Sequence, residues 1–333
     1  MRGLKSLLKM VILLGFVLGL AGLAWLNLPM GLSQPEARTA DLSIEPNTPP
    51  KAVAQLVHDA GIQVQPGWLY LWFRVSGQAR QIRAGSYEVD ASTTPWQLFN
   101  KLIRGDESLR ALTLVEGWNW RQVREALAKA DALKPESQTL TDDALMARLN
   151  RPGVAPEGRF YPDTYTYSKG SSDLHLLRRA LKAMDKHLAA AWSVKPPDLP
   201  LRNPDELLIL ASLVEKETGK GSDRPLISGV FINRLNKGML LQTDPTVIYG
   251  LGEHYAGSLH KSDLLTDTPW NTYTRVGLPP TPIAMPGKAA LMAAVNPAKT
   301  PALYFVARGD GSSQFSATLE EHNRAVQHFI HHQ

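Results

Sequence analysis

Three carboxylate neighbourhoods in this chain have residue types and spacing suited to proton chemistry: Glu157, the pair Glu215 and Glu217, and Asp244. The pair is the most informative. Leu207, Leu210, Ala211, Val214 and Thr218 recur at helical spacing, and the two glutamates flank that stripe while Lys216 faces solvent. Leu213 and Val214, one turn back, wall Glu217 on one side, and Leu208 and Ala211 do the same for Glu215. A carboxyl pressed against apolar residues has its charged form disfavoured. At the last turn, the negative end of the helix dipole pushes its pKa the same way. A glutamate held protonated near neutral pH is what a general acid for glycosidic cleavage requires. The plainer reading of a Glu-Lys-Glu triplet at a helix end is a solvated carboxylate paired with Lys220 or a nearby arginine.

Asp244 stands in Gln242-Thr243-Asp244-Pro245, a natural turn, where an aspartate ordinarily closes an Asx-turn or caps the stretch from Pro245 onward. Near the end, His328 and His332 form an i,i+4 pair, but no carboxylate shares their face, and a solvated tail is expected there rather than a metal site. Arg308-Gly309-Asp310 is accounted for by a hairpin turn. The absence of cysteine excludes a disulfide scaffold, a zinc–thiolate site and a cysteine nucleophile. There is no glycine-rich phosphate loop and no G-x-S-x-G string. No metal and no organic cofactor are expected.

The elements that must carry these groups are legible from start and stop signals. Asn203 caps a helix with Pro204 in its first turn and Glu206 three residues after the cap, and Gly219 stops it. A helix is expected over Asp173–Trp192, on Leu177, Ala180, Leu181 and Met184, and another over Leu226–Leu235. From Gln242 the text is irregular, above all the proline-dense Thr268–Gly287, and reads as loops held over a scaffold, where binding residues concentrate. A hairpin joins Ala302–Ala307 to Gln314–Ala317, and a last helix begins at Thr318 with Glu321 completing a capping box. Upstream there is a weak repeat: Ile44, Val89 and Leu114 open short β-like stretches. Val53, Leu98 and Val123, then Val57, Leu102 and Leu127, come next on amphipathic helices.

The whole chain has 333 residues, 44% hydrophobic and 20% charged, enough for about two domains with real cores. Its net charge is +5, but Arg2, Lys5 and Lys9 supply much of that, and the nearly neutral remainder argues against nucleic acid. Met10–Leu26 is unbroken apolar sequence, long enough to cross a bilayer. A cleaved signal peptide is the rival, and the length favours an uncleaved anchor with its basic flank on the cytoplasmic side. Residues 29–50, with Pro29, Pro35, Pro46, Pro49 and Pro50, read as a stalk. The expected organisation is an anchor over 1–28, the stalk over 29–50, a strand/helix module over 51–111 and an α+β domain over 112–333.

Taken together, the strings EGRFYPDTY (Glu157–Tyr165), LASLVEKET (Leu210–Thr218), VFINRL (Val230–Leu235), LQTDPTVIYG (Leu241–Gly250), NTY with GLPPTPI (Asn271–Ile283), NPA (Asn296–Ala298), LYFVA (Leu303–Ala307) and FSATLEEHN (Phe315–Asn323) resemble one family. It is the MltG-type (YceG-like) endolytic lytic transglycosylases of bacterial peptidoglycan. The resemblance covers the chain from about Leu112 to its end, in the family's order. Two positions depart from it: Ser313 stands where the family often has histidine, and Thr281 replaces a frequent glycine.

The resemblance implies an α+β protein: an N-terminal transmembrane helix, a LysM-like strand/helix module over 51–111, and a mixed α+β catalytic domain over 112–333. It implies a single-pass inner-membrane protein with its catalytic part in the periplasm. The family cleaves MurNAc–GlcNAc β-1,4 bonds in nascent glycan strands, leaves 1,6-anhydroMurNAc ends and so terminates elongation. The catalytic residue carried over is Glu217, followed by a hydroxyl residue, Thr218. One carboxyl serves both as acid and as base, so no second is needed. Asp244 then orients sugar or loop, and Gln242, Asn271 and Tyr273 bind substrate through hydrogen bonds. Glu157 either braces its loop or touches the glycan. The expected partners are peptidoglycan glycan strands, the inner membrane and peptidoglycan synthases, with no nucleic acid. The alternatives are a non-catalytic peptidoglycan-binding scaffold of the cell-wall synthesis machinery and a muramidase that adds water.

Overall fold

The computed structural model describes residues 2–34, 36 and 38–330, without the side chains of 2–8 and 330. Pro35 of the expected stalk, His331, His332 and the side chains of Arg2 and Lys5 lie outside the described residues. Two compact units emerge, and the chain visits the first of them three times: Met1–Arg110, Asp131–Leu133 and Thr166–Ser171 form one, and Ala111–Ala130, Lys134–Tyr165 and Ser172–Gln333 the other. The architecture is mixed α+β with one N-terminal apolar helix.

In the first unit, α1 (Arg2–Leu26) carries the apolar run. Its Lys9–Leu26 portion has a mean hydropathy of 2.1 and is long enough to span a membrane, which fits an anchor or a signal sequence. The helix end is not free: Leu26 is buried and Trp25 packs on the unit's core. Residues 29–50 are not a stalk but part of this fold. Met30 and Leu32 are buried, and β1 (Thr39–Ile44) directs Ala40, Leu42 and Ile44 inward. The prolines bracket the Thr-Ala-Asp-Leu-Ser-Ile alternation without interrupting it, and a period of two outweighs composition. After α2 (Pro50–Asp59) and α3 (Pro66–Val75), β2 (Gly85–Asp90) returns antiparallel to β1, with Leu42 opposite Tyr87.

The strand–helix repeat is present in three dimensions, but Ile44 and Val89 stand at or next to the ends of β1 and β2 and Leu114 just after the third strand, rather than opening strands as expected. Val53 and Val57 of α2 and Leu98 and Leu102 of α4 (Pro95–Arg104) are all fully buried, and Phe73 stacks on Phe99 with ring centroids 5.2 Å apart. The third copy is β3 (Leu109–Thr113) with α5 (Trp120–Lys129), whose Val123 and Leu127 are buried too. Both α4 and α5 open with reciprocal capping boxes, Thr94 with Gln97 and Asn119 with Gln122, so each helix start is fixed by its own sequence.

The second unit continues through α6 (Asp142–Arg148), and the chain then enters β4 (Thr164–Ser168), the partner of β3; the last three residues of β4 belong to the first unit. Then come α7 (Asp173–Ser193), α8 (Pro204–Glu217) and α9 (Arg224–Asn236). The irregular text beyond Gln242 holds more helix than its prolines suggest: α10 (Asp244–Leu251), α11 (Lys261–Leu265) and α12 (Lys288–Val295). The hairpin forms as β5 (Tyr304–Ala307) against β6 (Ser313–Ser316), with Phe305 opposite Phe315. The last helix, α13 (Leu319–Ile330), is capped by the Thr318–Glu321 box.

At the centre stands α8. The Asn203 side chain accepts from the Glu206 N–H at 2.9 Å, and every residue from Leu207 to Val214 is buried. The wheel anticipates one apolar stripe; instead α7, α9, α10 and α12 enclose the helix on all sides. Close approach at α9 depends on Gly229, where a Cβ would lie 2.5 Å from the Ala298 carbonyl oxygen and 2.9 Å from Thr300 Cγ2. Gly229→Ala is therefore expected to cost ~1–3 kcal/mol by forced displacement of backbone. Chemical denaturation checks this, and a variant as stable as the parent would refute the close contact.

Candidate active site

The two glutamates at the end of α8 have opposite surroundings. Glu215 is tied into the scaffold: its carboxylate pairs with Arg224 Nη2 at 3.1 Å and accepts the Gly287 N–H at 2.9 Å. It joins α8 to the start of α9 and to the loop before α12; the plainer reading of the triplet foresaw an arginine partner but a solvated carboxylate, whereas this side chain is buried. The loop is also held by the Ile283 N–H, which donates to Ser212 Oγ.

Among the described residues no cation pairs with Glu217. Its carboxyl accepts a hydrogen bond from the Thr243 hydroxyl, and burial pushes its pKa from 4.5 up to about 7. The Thr243 hydroxyl opposes that rise, and the neighbouring Asp244 adds to it. Thr243 occupies the N-cap position of α10 but makes no side-chain capping bond. Its hydroxyl, the natural capping group there, is committed to Glu217 instead.

A cleft of about 350 Å³ opens in front of Glu217, lined also by Gln242, Asp244 and Tyr273. Three of the four expected substrate-binding residues are thus brought together with it. The Tyr273 hydroxyl donates to Asp244 Oδ1 at 2.5 Å, and Gln242 adopts a left-handed backbone conformation (φ 51°) rarely taken outside glycine. The turn is pinned by the Asn271-Thr272-Tyr273 segment: the Gln242 N–H donates to the Thr272 carbonyl at 3.0 Å and the Thr243 N–H to Thr272 Oγ1 at 3.1 Å.

Asn271 is the exception. It is fully buried, its amide donates to the Leu264 and Thr266 carbonyls, and its Oδ1 accepts from the Tyr273 N–H. All its bonding capacity goes into the loop, so it presents nothing to the cleft. Its role is to hold Tyr273 in place. Glu157 also turns inward. Both its carboxyl oxygens accept from the Trp120 N–H, and one accepts from the Tyr249 hydroxyl at 3.0 Å. It braces α10 from behind, and burial raises its pKa to about 7. Thr281, one of the departures from the family pattern, accepts from the Trp270 indole N–H at 2.9 Å.

Besides Leu241 and Leu319, four charged or aromatic cleft residues escaped the sequence reading: Arg234, Tyr304, Phe305 and His322. Arg234 left a signal, since it continues the Ile227, Val230, Phe231 face of α9, where a charge has no packing reason to be. The other three stand on β5 and α13, remote in sequence from Glu217, and only the fold gathers them.

A model of the YceG-like family matches residues 42–328. The chain belongs to the YceG-like family. It is similar to the endolytic murein transglycosylase of Bacillus subtilis, 31% identical over 314 residues, spanning 88% of this chain and 85% of that protein. The protein of that name from Streptococcus pneumoniae strain D39 is 30% identical over 310 residues, 82% of this chain but 55% of its own length. A 2.6 Å crystal structure of a YceG-like protein from Listeria monocytogenes aligns with a TM-score of 0.55 at 28% identity, covering 86% of this chain and 99% of that one.

Two raised carboxyls set a pH dependence of stability. Each stays protonated in the folded chain up to about 7 but ionises at the ordinary 4.5 when unfolded. The native state therefore holds protons the unfolded state has lost, and stability falls as pH rises between those values. Urea denaturation from about pH 5 to about pH 8 is expected to show a shallower decline in Glu157→Gln than in the parent. Equal slopes would refute a protonated Glu157.

Proposed function

We propose that this protein is an endolytic lytic transglycosylase of bacterial peptidoglycan, with Glu217 as the single group that is acid first and base second. The observation that carries the reading is the Glu217 carboxyl, held near neutrality without a cation at the wall of a cleft. The names of the family relatives, endolytic murein transglycosylases, support the substrate class.

In this mechanism the Glu217 proton passes to the glycosidic oxygen of the leaving GlcNAc. The C1–O bond of MurNAc breaks with oxocarbenium character at C1. The carboxylate so formed then takes the proton from the MurNAc C6 hydroxyl, whose oxygen closes on C1 to give the 1,6-anhydro end. Proton and electron pairs balance without water, because nucleophile and leaving group act in sequence on one carboxyl. The Thr243 hydroxyl orients the acid, Asp244 with Tyr273 forms a polar wall for sugar hydroxyls, and Gln242 offers its amide to the acetamido group. No step calls for a metal or a cofactor.

The finer expectations belong to the same reading. The β-1,4 bond between MurNAc and GlcNAc in nascent strands is the one cut, and its cleavage ends elongation. The paired strands and helices of the first unit support a LysM-like module. The apolar α1, tied at its end to that unit, supports an inner-membrane anchor with the remainder in the periplasm, where peptidoglycan synthases work.

Digestion of sacculi by the detergent-solubilised chain, followed by mass spectrometry, is expected to give anhydro ends. Glu217→Gln is expected to lower turnover by at least ~10²-fold. Ends heavier by one water would assign a muramidase, and unchanged glycans with both proteins would leave only a binding scaffold. Because the acid must start protonated, kcat/KM is expected to decline as pH rises through about 7. A profile flat across that range would argue against Glu217 as the acid.

A further inference from the structure

Arg234 is only 7% exposed, and one edge of its guanidinium is fully engaged. Nε donates to the Leu303 carbonyl at 2.6 Å, and Nη1 to the Leu240 and Leu241 carbonyls at 3.0 Å and to Gln242 Oε1 at 3.2 Å. The Tyr304 ring covers one face, its centroid 5.0 Å from Cζ. Nη2 has no acceptor among the described residues, yet it is not sealed in, and the residue lines the cleft that Glu217 lines. Arg234 is the one arginine or lysine of that lining, and no described carboxylate pairs with it. A buried cation held by carbonyls at the wall of a cleft, with its outer N–H groups unused among the described residues, is built to receive an oxygen from a ligand.

The position narrows which oxygen. Gln242 accepts from Arg234, and the next residue, Thr243, donates to Glu217. Acid and guanidinium are thus held by consecutive residues of one turn, and a sugar seated with its C1 at Glu217 lies beside Arg234. The two sugars of murein differ at one place: MurNAc carries an ether-linked lactyl group on C3 where GlcNAc has a hydroxyl. We propose that the free edge of Arg234 binds the lactyl carboxylate or carbonyl oxygen of the MurNAc whose C1 reacts, and that this contact is how the cleft tells MurNAc from GlcNAc. The proposal rests on the murein reading above and adds to it a residue that sets specificity. His322 shares this wall, stacked on Tyr304, but burial and the nearby Arg234 charge lower its pKa. The lasting positive charge there belongs to Arg234.

The test is binding to the full chain in detergent, carrying Glu217→Gln so that no glycan is cut. The probes are a (GlcNAc–MurNAc) tetrasaccharide, the same glycan with its lactyl carboxyls reduced to alcohols, and chitotetraose. The expected result is that the first binds ~10-fold or more tightly than the other two, with a preference that shrinks as salt rises. Adding Arg234→Lys is expected to remove most of that preference, read as the ratio of the Kd values for the first glycan and the other two, so that a general loosening of the turn cancels. Equal Kd values for the three glycans, or a preference untouched by Arg234→Lys, would overturn the proposal. The reduced glycan decides the matter even where the lysine variant folds poorly. A parent protein that makes anhydro ends but binds all three glycans alike sinks this inference alone, whereas a parent that makes none sinks the functional reading.

Discussion

The structure depends on keeping one carboxyl dry and unpaired. Glu217 lies two residues after Glu215 on the same helix, and the fold separates their chemistry by where it puts one guanidinium. Arg224 goes to Glu215, and no cation among the described residues goes to Glu217. A salt bridge at Glu217 would hold it ionised and unable to serve as the proposed acid. The enclosing helices around α8 supply the desolvation, and the Thr243 hydroxyl fixes the carboxyl without charging it. The arrangement costs α10 its side-chain cap, which is the local rule broken so that the site can form.

The loops around the cleft obey that constraint. A strained residue, Gln242, has to carry the Thr243 hydroxyl to the end of α8, and an otherwise unfavourable backbone persists only where its surroundings hold it. Thr272 supplies two of the holding bonds, Arg234 binds the turn through the Leu240 and Leu241 carbonyls, and Asn271 fixes the segment from behind. Glu157 reaches the far end of α10 through Tyr249. Some of what resembles a catalytic inventory in the sequence is this framework: Asn271, Thr272 and Glu157 serve the turn and α10 rather than the cleft.

Local signals carried far in this chain. The caps at Asn203 and Thr318 and the hairpin at Gly309–Gly311 are decided by neighbours within a few residues, and they formed where those neighbours said. The strand–helix repeat survived because it records burial directly. What could not be read had causes elsewhere. The strand at Thr39–Ile44 was hidden by prolines that lie outside it. Asn271 looked like a sugar ligand because its residue type suits one, and only the positions of Leu264 and Thr266 show its amide to be consumed. Tyr304 and His322 reach the site through long-range packing, which leaves no mark on local sequence. Arg234 was visible as a charge on an apolar helix face, and its meaning waited for the carbonyls that hold it.

The first unit is assembled from three separated stretches of chain, and the later two are not ornamental. Asp131 pairs with Arg110, its carbonyl takes the Tyr167 hydroxyl, and Lys169 meets both Asp41 and Ser86. A gene cut after residue 110 would therefore deliver this unit with holes in its edge, lacking partners for groups placed to use them. Such a body cannot be traded between proteins as a cassette in the way that beads on a string can. Recombination that keeps it whole must carry along everything from Ala111 to Ser171, which ties the inheritance of the first unit to that of the second.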